Sequence, residues 1–388
     1  MVGDMSGAGP AGDDREDAAP RPPLTAIPPH FRALADYERQ APAHLAGEVW
    51  RHIESGAGPE RSLAANRAQF DRYRLVPRML SDLRGGSTAV TLFGQRHAAP
   101  ILLAPVAYHR LAHPQGEIAT MNAATALDTT MVVSTLSSFT LEDIAATARA
   151  AAAELGRTAC PPLWFQLYFQ PDRAHTLELV HRAEAAGYGL LMVTVDASVK
   201  HSTFTLPPGV EAANLRAMPR IAHQADPIGG NILFGTALMD AAPTWDDIDW
   251  LRSQTRLPLV LKGLLSAEDA RRALDHGVDG IVVSNHGGRV LDGLVDPLDA
   301  LPAMADAVGD RMPLLLDSGV RQGTDILKAL ALGAKAVLVG RPQLHALAVA
   351  GLPGVAHMLH ILRAELELAM AQTGRPFPQA IDRTILSA

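Results

Sequence analysis

The feature that most constrains the fold of this chain is a regular alternation of short apolar runs with amphipathic stretches of helical period. Short runs rich in branched residues predict buried strands, and strands that alternate with helices predict a parallel sheet assembled from βαβ units. Eight successive units predict a sheet that closes on itself. The eight runs occupy residues 100–104, 130–134, 163–168, 190–195, 258–262, 280–284, 312–317 and 336–340.

The predicted fold is therefore an α/β fold of the (β/α)8 TIM barrel type, which commonly forms one domain of roughly 250 residues. Helix boundaries between the runs agree with this. Ser266 with Asp269 is typical of a helix start, and Gly277 stands where a left-handed helix end belongs. The alternative is a doubly wound open sheet, but no Gly-x-Gly-x-x-Gly sequence follows a first strand.

The segments around the eight runs predict additions to the barrel. Residues 1–30 are rich in glycine, proline and acidic residues, so we expect a disordered tail, with the barrel domain over 31–388. Residues 31–61 predict short helices that cover one end of the barrel, and residues 89–94 predict a small hairpin. The connection after the fourth strand is about fifty residues long, which predicts a mobile cover over the substrate pocket.

Composition and charge exclude several classes of function. The net charge of −7 provides no basic surface that would neutralise phosphates, which argues against a nucleic-acid partner. Cys160 is the single cysteine, so neither an internal disulfide nor a cysteine-built metal site is expected. The N-terminus lacks the apolar core of a secretory signal, and we expect no segment that is apolar enough to span a membrane. These features predict a cytoplasmic protein.

Polar residues stand at the C-terminal end of nearly every predicted strand. In a barrel of this type that end carries the active site, whereas interior strand positions are otherwise apolar. Any one of these residues is more often structural than catalytic, but their convergence on one rim predicts a functional site. The residues are Ser134, Gln166, Tyr168, Thr194, Asp196, Lys262, Ser284, His286, Arg289, Asp317 and Arg341.

Two groups within this set indicate specific chemistry. His286 can take a proton near neutral pH, and Arg289 can hold an anionic oxygen with its fork of N–H donors, so the pair predicts a base beside a carboxylate clamp. The segments 317–321 and 340–342 combine glycines with arginines after the seventh and eighth strands, which is the usual phosphate site of such barrels. Neither His-Glu-x-x-His spacing nor a Cys/His cluster predicts a metal.

Several ordered motifs together carry a resemblance to a known family. The sequence Ser-Asn-His-Gly-Gly-Arg at 284–289, with Leu-Lys-Gly at 261–263, Asp-Ser-Gly-Val-Arg at 317–321 and Phe-Gln-Leu-Tyr at 165–168, closely resembles the FMN-dependent α-hydroxy-acid oxidases and dehydrogenases. Glycolate oxidase, lactate oxidase and mandelate dehydrogenase belong to that family. The resemblance covers residues 45–374. It implies an FMN-dependent enzyme that oxidises a small 2-hydroxy acid, commonly as a homotetramer.

The resemblance also implies a role for each matching catalytic residue. His286 would remove the substrate's proton as a hydride or its electrons pass to flavin N5, and Asp196 would stabilise the resulting imidazolium by raising the pKa of the histidine. Tyr168 would bond the substrate's oxygen and Arg289 its carboxylate. Lys262 would lie near flavin N1 and O2, where a fixed cation favours electron uptake.

By the same resemblance, the remaining motif residues would hold FMN. Contacts to the ring would come from one group and contacts to the ribityl chain and phosphate from the other. The ring residues are Pro105, Val106, Ala107, Ser134, Gln166, Thr194, Lys262 and Ser284. The ribityl and phosphate residues are Asp317, Ser318, Gly319, Arg321, Gly340 and Arg341.

Three positions in the expected substrate site depart from the family pattern. Thr203 stands where a second carboxylate-binding arginine is expected, His52 replaces an active-site tyrosine, and Leu136 replaces a frequent aromatic residue. Loss of one charged hydrogen bond would weaken binding of a simple 2-hydroxy acid, by roughly 1.5–3 kcal/mol. Lys200, His201 and Arg216 from the long loop are candidates to compensate.

These departures leave alternatives open. The same flavin chemistry could act on a larger or non-carboxylate substrate, such as an amine or a natural-product intermediate. An FMN-binding barrel without oxidase activity and a phosphate-binding isomerase barrel are the other two candidates. Neither would need His286, Asp196, Arg289 and Tyr168 together.

Overall fold

The computed structural model describes residues 19–197, 204–218 and 234–387. Three helices lead into the domain: α1 (Leu34–Gln40), α2 (Gly47–Glu54) and α3 (Arg61–Asp71). Three short strands follow them: β1 (Arg74–Leu75), β2 (Val90–Leu92) and β3 (Gln95–His97). The helical cover predicted over 31–61 therefore exists, and its last helix extends to Asp71.

The predicted (β/α)8 barrel is confirmed, and each predicted run contains one of its eight strands or overlaps it. The strands are β4 (Ile101–Leu103), β5 (Val132–Ser134), β6 (Trp164–Leu167), β7 (Leu191–Thr194), β8 (Leu259–Leu264), β9 (Gly280–Val283), β10 (Leu314–Leu316) and β11 (Ala334–Val339). Their order in the sheet is β4-β11-β10-β9-β8-β7-β6-β5, and every pairing is parallel. A parallel bridge between Leu103 and Met131 closes the sheet.

Helices surround the barrel and alternate with its strands. Ser266 begins α9 as predicted, because its hydroxyl accepts a hydrogen bond from the backbone N–H of Asp269 at 3.0 Å, and Gly277 ends the helix with a φ of +68°. The helices are α4 (Gly116–Ala126), α5 (Leu141–Glu154), α6 (Arg173–Ala185), α7 (Ala237–Asp240), α8 (Trp245–Gln254), α9 (Ala267–Asp275), α10 (Pro297–Val308), α11 (Gly323–Ala331) and α12 (Arg341–Gln372). Strand β12 (Leu386–Ser387) pairs antiparallel with β1.

The period of two along each strand places the polar site residues. One apolar cluster fills the barrel interior, and a second lies between the strands and the helices. Two residues beyond an interior residue, the next side chain points inward again at the C-terminal rim. The interior residues are Leu102, Val132, Trp164, Met192, Val260, Val282, Leu315 and Leu338, and the rim residues two positions later are Ala104, Ser134, Gln166, Thr194, Lys262, Ser284, Asp317 and Gly340.

The β2–β3 hairpin closes the N-terminal end of the barrel. Val90 and Leu92 join the interior cluster, and Nε1 of Trp164 donates to Oε1 of Gln95 at 2.7 Å. The hairpin predicted at 89–94 is confirmed for its first strand and turn, whereas its second strand was not predicted. Because this end is filled, the cavity of the barrel lies at the opposite rim.

The predicted tail is described only from residue 19 onward. Within this part, the backbone N–H of Arg21 donates to the carbonyl of Ala43 at 2.9 Å, and that of Leu24 donates to Val349 at 2.7 Å. Leu24 and Ile27 also pack against the core. Residues 19–30 therefore lie along the domain, and the boundary at residue 30 stays a prediction.

Helix α12 is the one described helix that is long and apolar enough to cross a bilayer, whereas the sequence predicted no such segment. However, 72% of its most apolar window is buried inside the protein. Its backbone is non-helical at Ala350 and Gly351, so it consists of two helical segments joined at a kink. The helix packs against α4 and α11, as expected for a helix of the domain core.

The long connection after β7 is described in part. Asn214 anchors it to the barrel, because its side-chain oxygen accepts from the backbone N–H of Leu141 at 2.8 Å and its amide donates to the hydroxyl of Ser137 at 2.9 Å. Phe204 and Leu206 of the same connection line the cavity. The described part of the connection therefore reaches the cavity, as expected for the predicted cover, and its mobility stays a prediction.

Candidate active site

A cavity of about 570 Å³ opens at the C-terminal rim of the barrel, a volume typical of ligand pockets. It brings together most of the residues predicted from the sequence. Those that line it are His52, Pro105, Val106, Ala107, Ser134, Leu136, Tyr168, Lys262, His286, Arg289, Asp317, Ser318, Gly319, Arg321, Gly340 and Arg341. Gln166, Thr194, Asp196 and Ser284 lie behind this lining. Thr203 lies outside the described residues, as do Lys200 and His201.

Lys262 forms the charged floor of the cavity. Its Nζ donates to the hydroxyl of Ser284 at 2.9 Å and lies 3.1 Å from Oδ2 of Asp317. Burial alone would lower the pKa of this lysine, but the carboxylates of Asp317 and Asp196 outweigh burial and raise it. Lys262 is therefore a fixed positive charge at neutral pH.

His286 and Asp196 form a hydrogen-bonded pair at the cavity wall. Nδ1 of His286 lies 2.9 Å from Oδ1 of Asp196. Burial alone would raise the pKa of Asp196, but its interaction with His286 and the charge of Lys262 outweigh burial and keep the pKa below its usual value. Asp196 is thus an acceptor, so Nδ1 of His286 carries the proton and Nε2 keeps its lone pair. A histidine in this state is chemically able to act as a general base.

The pKa of His286 lies below its ordinary value, as the sum of opposing effects. The resemblance implied that Asp196 would raise it, and Asp196 does act in that direction. Burial, together with the positive charge of Lys262, outweighs the carboxylate and lowers the pKa below the ordinary value of 6.5. His286 is therefore neutral at physiological pH, which is the state a base requires.

Two backbone features hold this pair in place. His286 has a φ of +58°, in the left-handed region, and its N–H donates to the hydroxyl of Ser284 at 3.0 Å. Gly263 has a φ of +113°, and a Cβ there would lie 2.5 Å from Cβ of Asp196. Glycine is thus required at 263 for the carboxylate to approach β8.

Tyr168 supplies a hydroxyl to the cavity. Burial, with the negative charge of Asp196, raises the pKa of Tyr168 above its ordinary value of 10.0. The phenol is therefore protonated at neutral pH and can donate a hydrogen bond. Its backbone N–H donates to the hydroxyl of Thr135 at 3.1 Å, which fixes the residue beside β5.

Arg289 lines the cavity and also joins it to the helical cover. Its two terminal nitrogens donate to the carbonyls of Ile53 at 2.8 Å and His52 at 2.6 Å, at the C-terminal end of α2. These bonds satisfy carbonyls that a helix leaves unpaired and fix the guanidinium. His52 stacks on Phe204, with ring centroids 4.0 Å apart. The helical cover and the long loop therefore meet at this wall.

The predicted phosphate residues include Arg341, which lies beside Arg289. Arg341 donates from Nε to the carbonyl of Ile53 at 2.9 Å and from a terminal nitrogen to Gly287 at 2.9 Å. Burial and the neighbouring charge of Arg289 lower the pKa of Arg341 to about 10, and Arg321 acts in the same direction. Such crowding of cations, together with the N-terminus of α12, favours a bound anion.

These residues fit FMN. The arginines and the N-terminus of α12 could hold its phosphate, and Lys262 supplies a cation deep in the same cavity. Gln166 accepts from the hydroxyl of Ser134 at 3.1 Å and from the backbone N–H of Thr135 at 3.2 Å. Its buried Nε2 has no hydrogen-bond partner within the described ranges, so the amide has a donor for the polar edge of a ring. Among the described residues, no cluster could hold a metal ion.

Some cavity residues were not predicted. Tyr108 lies four residues beyond Ala104 on the loop after β4, so the strand-end argument could have found it. Phe169, Phe204, Leu206 and Pro243 come from loops whose path no local pattern predicts. These four residues and Leu136 are apolar side chains that loops bring to the cavity, and we call them the outer wall.

One candidate for the missing second arginine is now excluded. Arg216 pairs with Glu211, with Nε and Oε1 2.7 Å apart, and both side chains are about half exposed. It does not line the cavity. Arg289 lines the cavity and belongs to the same loop after β9 as the proposed base.

Comparison with known proteins identifies the family of the chain. The sequence profile of the family described as FMN-dependent dehydrogenase matches residues 41–388. An L-lactate oxidase of Alicycliphilus denitrificans is 48% identical over 91% of this chain and 95% of that relative. A 4-hydroxymandelate oxidase of Amycolatopsis orientalis is 44% identical over 89% and 95%, respectively. The 2-hydroxyacid oxidase 1 of Homo sapiens is 39% identical over 92% and 97%.

Solved structures give the same result. The crystal structure of a mandelate oxidase with (S)-2-phenylpropionate matches with a TM-score of 0.80 and 42% sequence identity, over 92% of this chain and 98% of that chain. A mandelate oxidase structure with benzoyl-formic acid matches with the same TM-score at 41% identity and with the same coverage.

Proposed function

The chain belongs to the FMN-dependent dehydrogenase family, and on that premise we propose that it oxidises a 2-hydroxy acid to the 2-oxo acid. The observation that carries the proposal is the pair of His286 with Asp196 in the cavity that also holds Arg289, Tyr168 and Lys262. Bound FMN accepts the two electrons that leave the substrate. The protein is accordingly an FMN-dependent oxidoreductase.

Different side chains bind the substrate and transfer its proton. Arg289 holds the substrate carboxylate, and Tyr168 donates a hydrogen bond to a substrate oxygen. Nε2 of His286 accepts the proton that leaves the substrate. Asp196 keeps the imidazole in the tautomer with a free Nε2 and stabilises the cation that forms. Lys262 supplies a fixed positive charge where the cofactor gains negative charge.

The apolar outer wall favours a substrate with a large apolar substituent. Leu136, Phe204 and Leu206 would contact such a group and remove it from water, which stabilises binding by roughly 25 cal/mol per Å² of buried apolar surface. Relatives act on both small and aromatic substrates, since one is a lactate oxidase and another a 4-hydroxymandelate oxidase. We therefore propose an aryl-substituted 2-hydroxy acid as the preferred substrate.

The proposal is tested by anaerobic reduction of the purified holoenzyme. Mandelate should bleach the flavin absorbance faster than lactate, and lactate faster than glycolate, because apolar contact with the outer wall increases in that order. Benzylamine has the same aromatic ring as mandelate but no carboxylate for Arg289 to bind, so it should leave the flavin spectrum unchanged. Bleaching by the amine alone would replace this function with the non-carboxylate alternative. A spectrum inert to all four compounds would favour a barrel without oxidase activity.

We also propose that the protein is a cytoplasmic homotetramer without nucleic-acid or membrane partners. Its formal net charge of −7 and single cysteine support this location and the lack of a nucleic-acid partner. Support for an oligomer comes from the resemblance and from exposed apolar side chains at Val76, Met79, Leu80 and Leu83. Light scattering coupled to gel filtration should give four times the chain mass of 41.2 kDa. A single-chain mass would contradict the oligomer.

A further inference from the structure

Helix α3 turns a polar face toward the barrel. Ser62, Asn66 and Gln69 are all at least 98% buried and recur at the spacing of one helix face. A helix that packs on a core normally buries an apolar face, and buried polar groups require hydrogen-bond partners. The loops that follow β9 and β10 supply most of those partners. Both loops carry residues of the cavity.

Asn66 forms a reciprocal amide pair with Asn285. Nδ2 of Asn66 donates to Oδ1 of Asn285 at 3.0 Å, and Nδ2 of Asn285 donates to Oδ1 of Asn66 at 2.8 Å. Oδ1 of Asn285 also accepts from the backbone N–H of Gly288 at 3.0 Å. The amide pair therefore holds the loop by hydrogen bonds at Asn285, before His286, and at Gly288, after it.

The same helix contacts the loop after β10. A Cβ at Gly319 would lie 1.8 Å from the carbonyl oxygen of Asn66, so the loop lies directly against the helix. Nε2 of Gln69 donates to the carbonyl of Ser318 at 3.3 Å. The hydroxyl of Ser318 in turn accepts from the backbone N–H of Gly287 at 3.1 Å. The loop after β9, which carries His286, and the loop after β10 are thus both hydrogen-bonded to helix α3 and to each other.

The backbone that Asn66 supports is a disfavoured one. His286 and Ser318 have φ values of +58° and +75°, in the region where a Cβ is crowded. Such residues keep this conformation only where their surroundings over-determine it. Asn285 is the residue directly before His286, and the amide pair joins its side chain to helix α3.

We propose that Asn66 is a positioning residue that holds the imidazole of His286 in its proton-accepting place through Asn285. This inference rests on the proposed function, because it concerns the base of that reaction. Asn66 itself does not line the cavity. Its removal should therefore slow proton transfer while leaving the substrate-binding groups in place.

The test compares Asn66→Asp with Ser62→Ala in the FMN-loaded protein. Asp at 66 keeps the shape but replaces the donor to Asn285 by a second oxygen, so the rate of substrate-driven flavin reduction should fall about 10- to 100-fold, as for loss of one buried hydrogen bond. The KM should change by less than about threefold, since Arg289 and Tyr168 are untouched. In Asn66→Asp, His286 should also move away from Lys262 and become less buried, which raises its pKa. The decline of the reduction rate at acidic pH should therefore begin at a higher pH than in wild type.

Ser62→Ala is the matched control on the same buried face. The hydroxyl of Ser62 accepts from the backbone N–H of Gly293 at 2.8 Å, four residues beyond Arg289. Ser62→Ala should lower the midpoint of thermal unfolding by about as much as Asn66→Asp does, yet leave the rate of flavin reduction within about twofold of wild type. Flavin absorbance per protein gives the bound FMN, independently of activity.

Wild-type reduction rates in Asn66→Asp would overturn the positioning role. So would equal rate losses in the two variants, because the loss would then follow stability alone. If Asn66→Asp does not fold, the smaller change Asn66→Ser is measured instead, and failure of both to retain flavin would assign the pair to the fold rather than to His286. A wild-type protein that no 2-hydroxy acid reduces would contradict the proposed function.

Discussion

The inner and outer parts of the cavity differ in both origin and chemistry. The inner part consists of charged groups in fixed pairs, His286 with Asp196 and Lys262 with Asp317, all carried by strand ends or the residues just beyond them. The outer part consists of apolar side chains from separate loops, among them Leu136, Phe204 and Leu206. This difference suggests that the reaction is set by the barrel and the choice of substrate by the loops.

The largest effect on the reaction is expected when the proposed base is removed. His286→Ala should lower the rate of substrate-driven flavin reduction by about 10²- to 10⁴-fold, the usual contribution of general base catalysis, while flavin stays bound. Stopped-flow absorbance under anaerobic conditions measures the rate. Reduction of this variant at the wild-type rate would show that the inner pair does not carry the reaction.

Lys262 should matter for stability as well as for chemistry. Lys262→Met leaves Asp317 buried without its cation and should lower the free energy of unfolding by about 3–5 kcal/mol. The double variant with Asp317→Asn should recover part of this loss, because no charge is then left unpaired. Urea denaturation measures both. Additive losses would mean that the two charges are not coupled.

The pH dependence of the rate follows from the lowered pKa of His286. The neutral imidazole is the active form, so the rate should stay on its plateau as pH falls through 6.5 and decline only at lower pH. Asp196→Asn removes the negative charge that favours the imidazolium and should move this decline to still lower pH. A decline in wild type that begins above pH 6.5 would contradict the charge balance described here.

The smallest effect is predicted for the outer wall. Phe204→Ala should raise the KM for mandelate by about tenfold, since one lost apolar contact of this size weakens binding modestly, and should leave the KM for lactate nearly unchanged. Phe377→Ala, which removes an exposed phenylalanine that does not line the cavity, is the matched control. Equal changes for both substrates would mean that the outer wall does not select the substituent.

The same division governs what the sequence could predict. Short apolar runs predicted the eight strands, and the polar residues at the C-terminal ends of those runs predicted Ser134, Lys262 and Asp317 at the rim. That Asp196 acts to raise the pKa of His286 was predicted, whereas the net lowering was not, because it follows from burial in the folded chain and from Lys262, which lies 24 positions earlier in the sequence.

Contacts between distant segments were also beyond prediction. Asn66 and Asn285 are 219 positions apart, and an asparagine inside a helix gives no indication that it will pair with the loop beside the base. Arg289 was expected to face a substrate carboxylate, and its bonds to the end of α2 became visible only in the fold. Long-range hydrogen bonds such as these follow from tertiary packing rather than from local sequence.

The central claim is that His286 draws a proton from a 2-hydroxy acid held beside FMN in the inner cavity. It is tested most directly by titrating the purified protein with mandelate in the absence of oxygen while recording the visible spectrum. The account predicts bound flavin whose absorbance disappears on addition of the acid. Flavin that stays oxidised with every 2-hydroxy acid, or protein that binds no flavin at all, would contradict it.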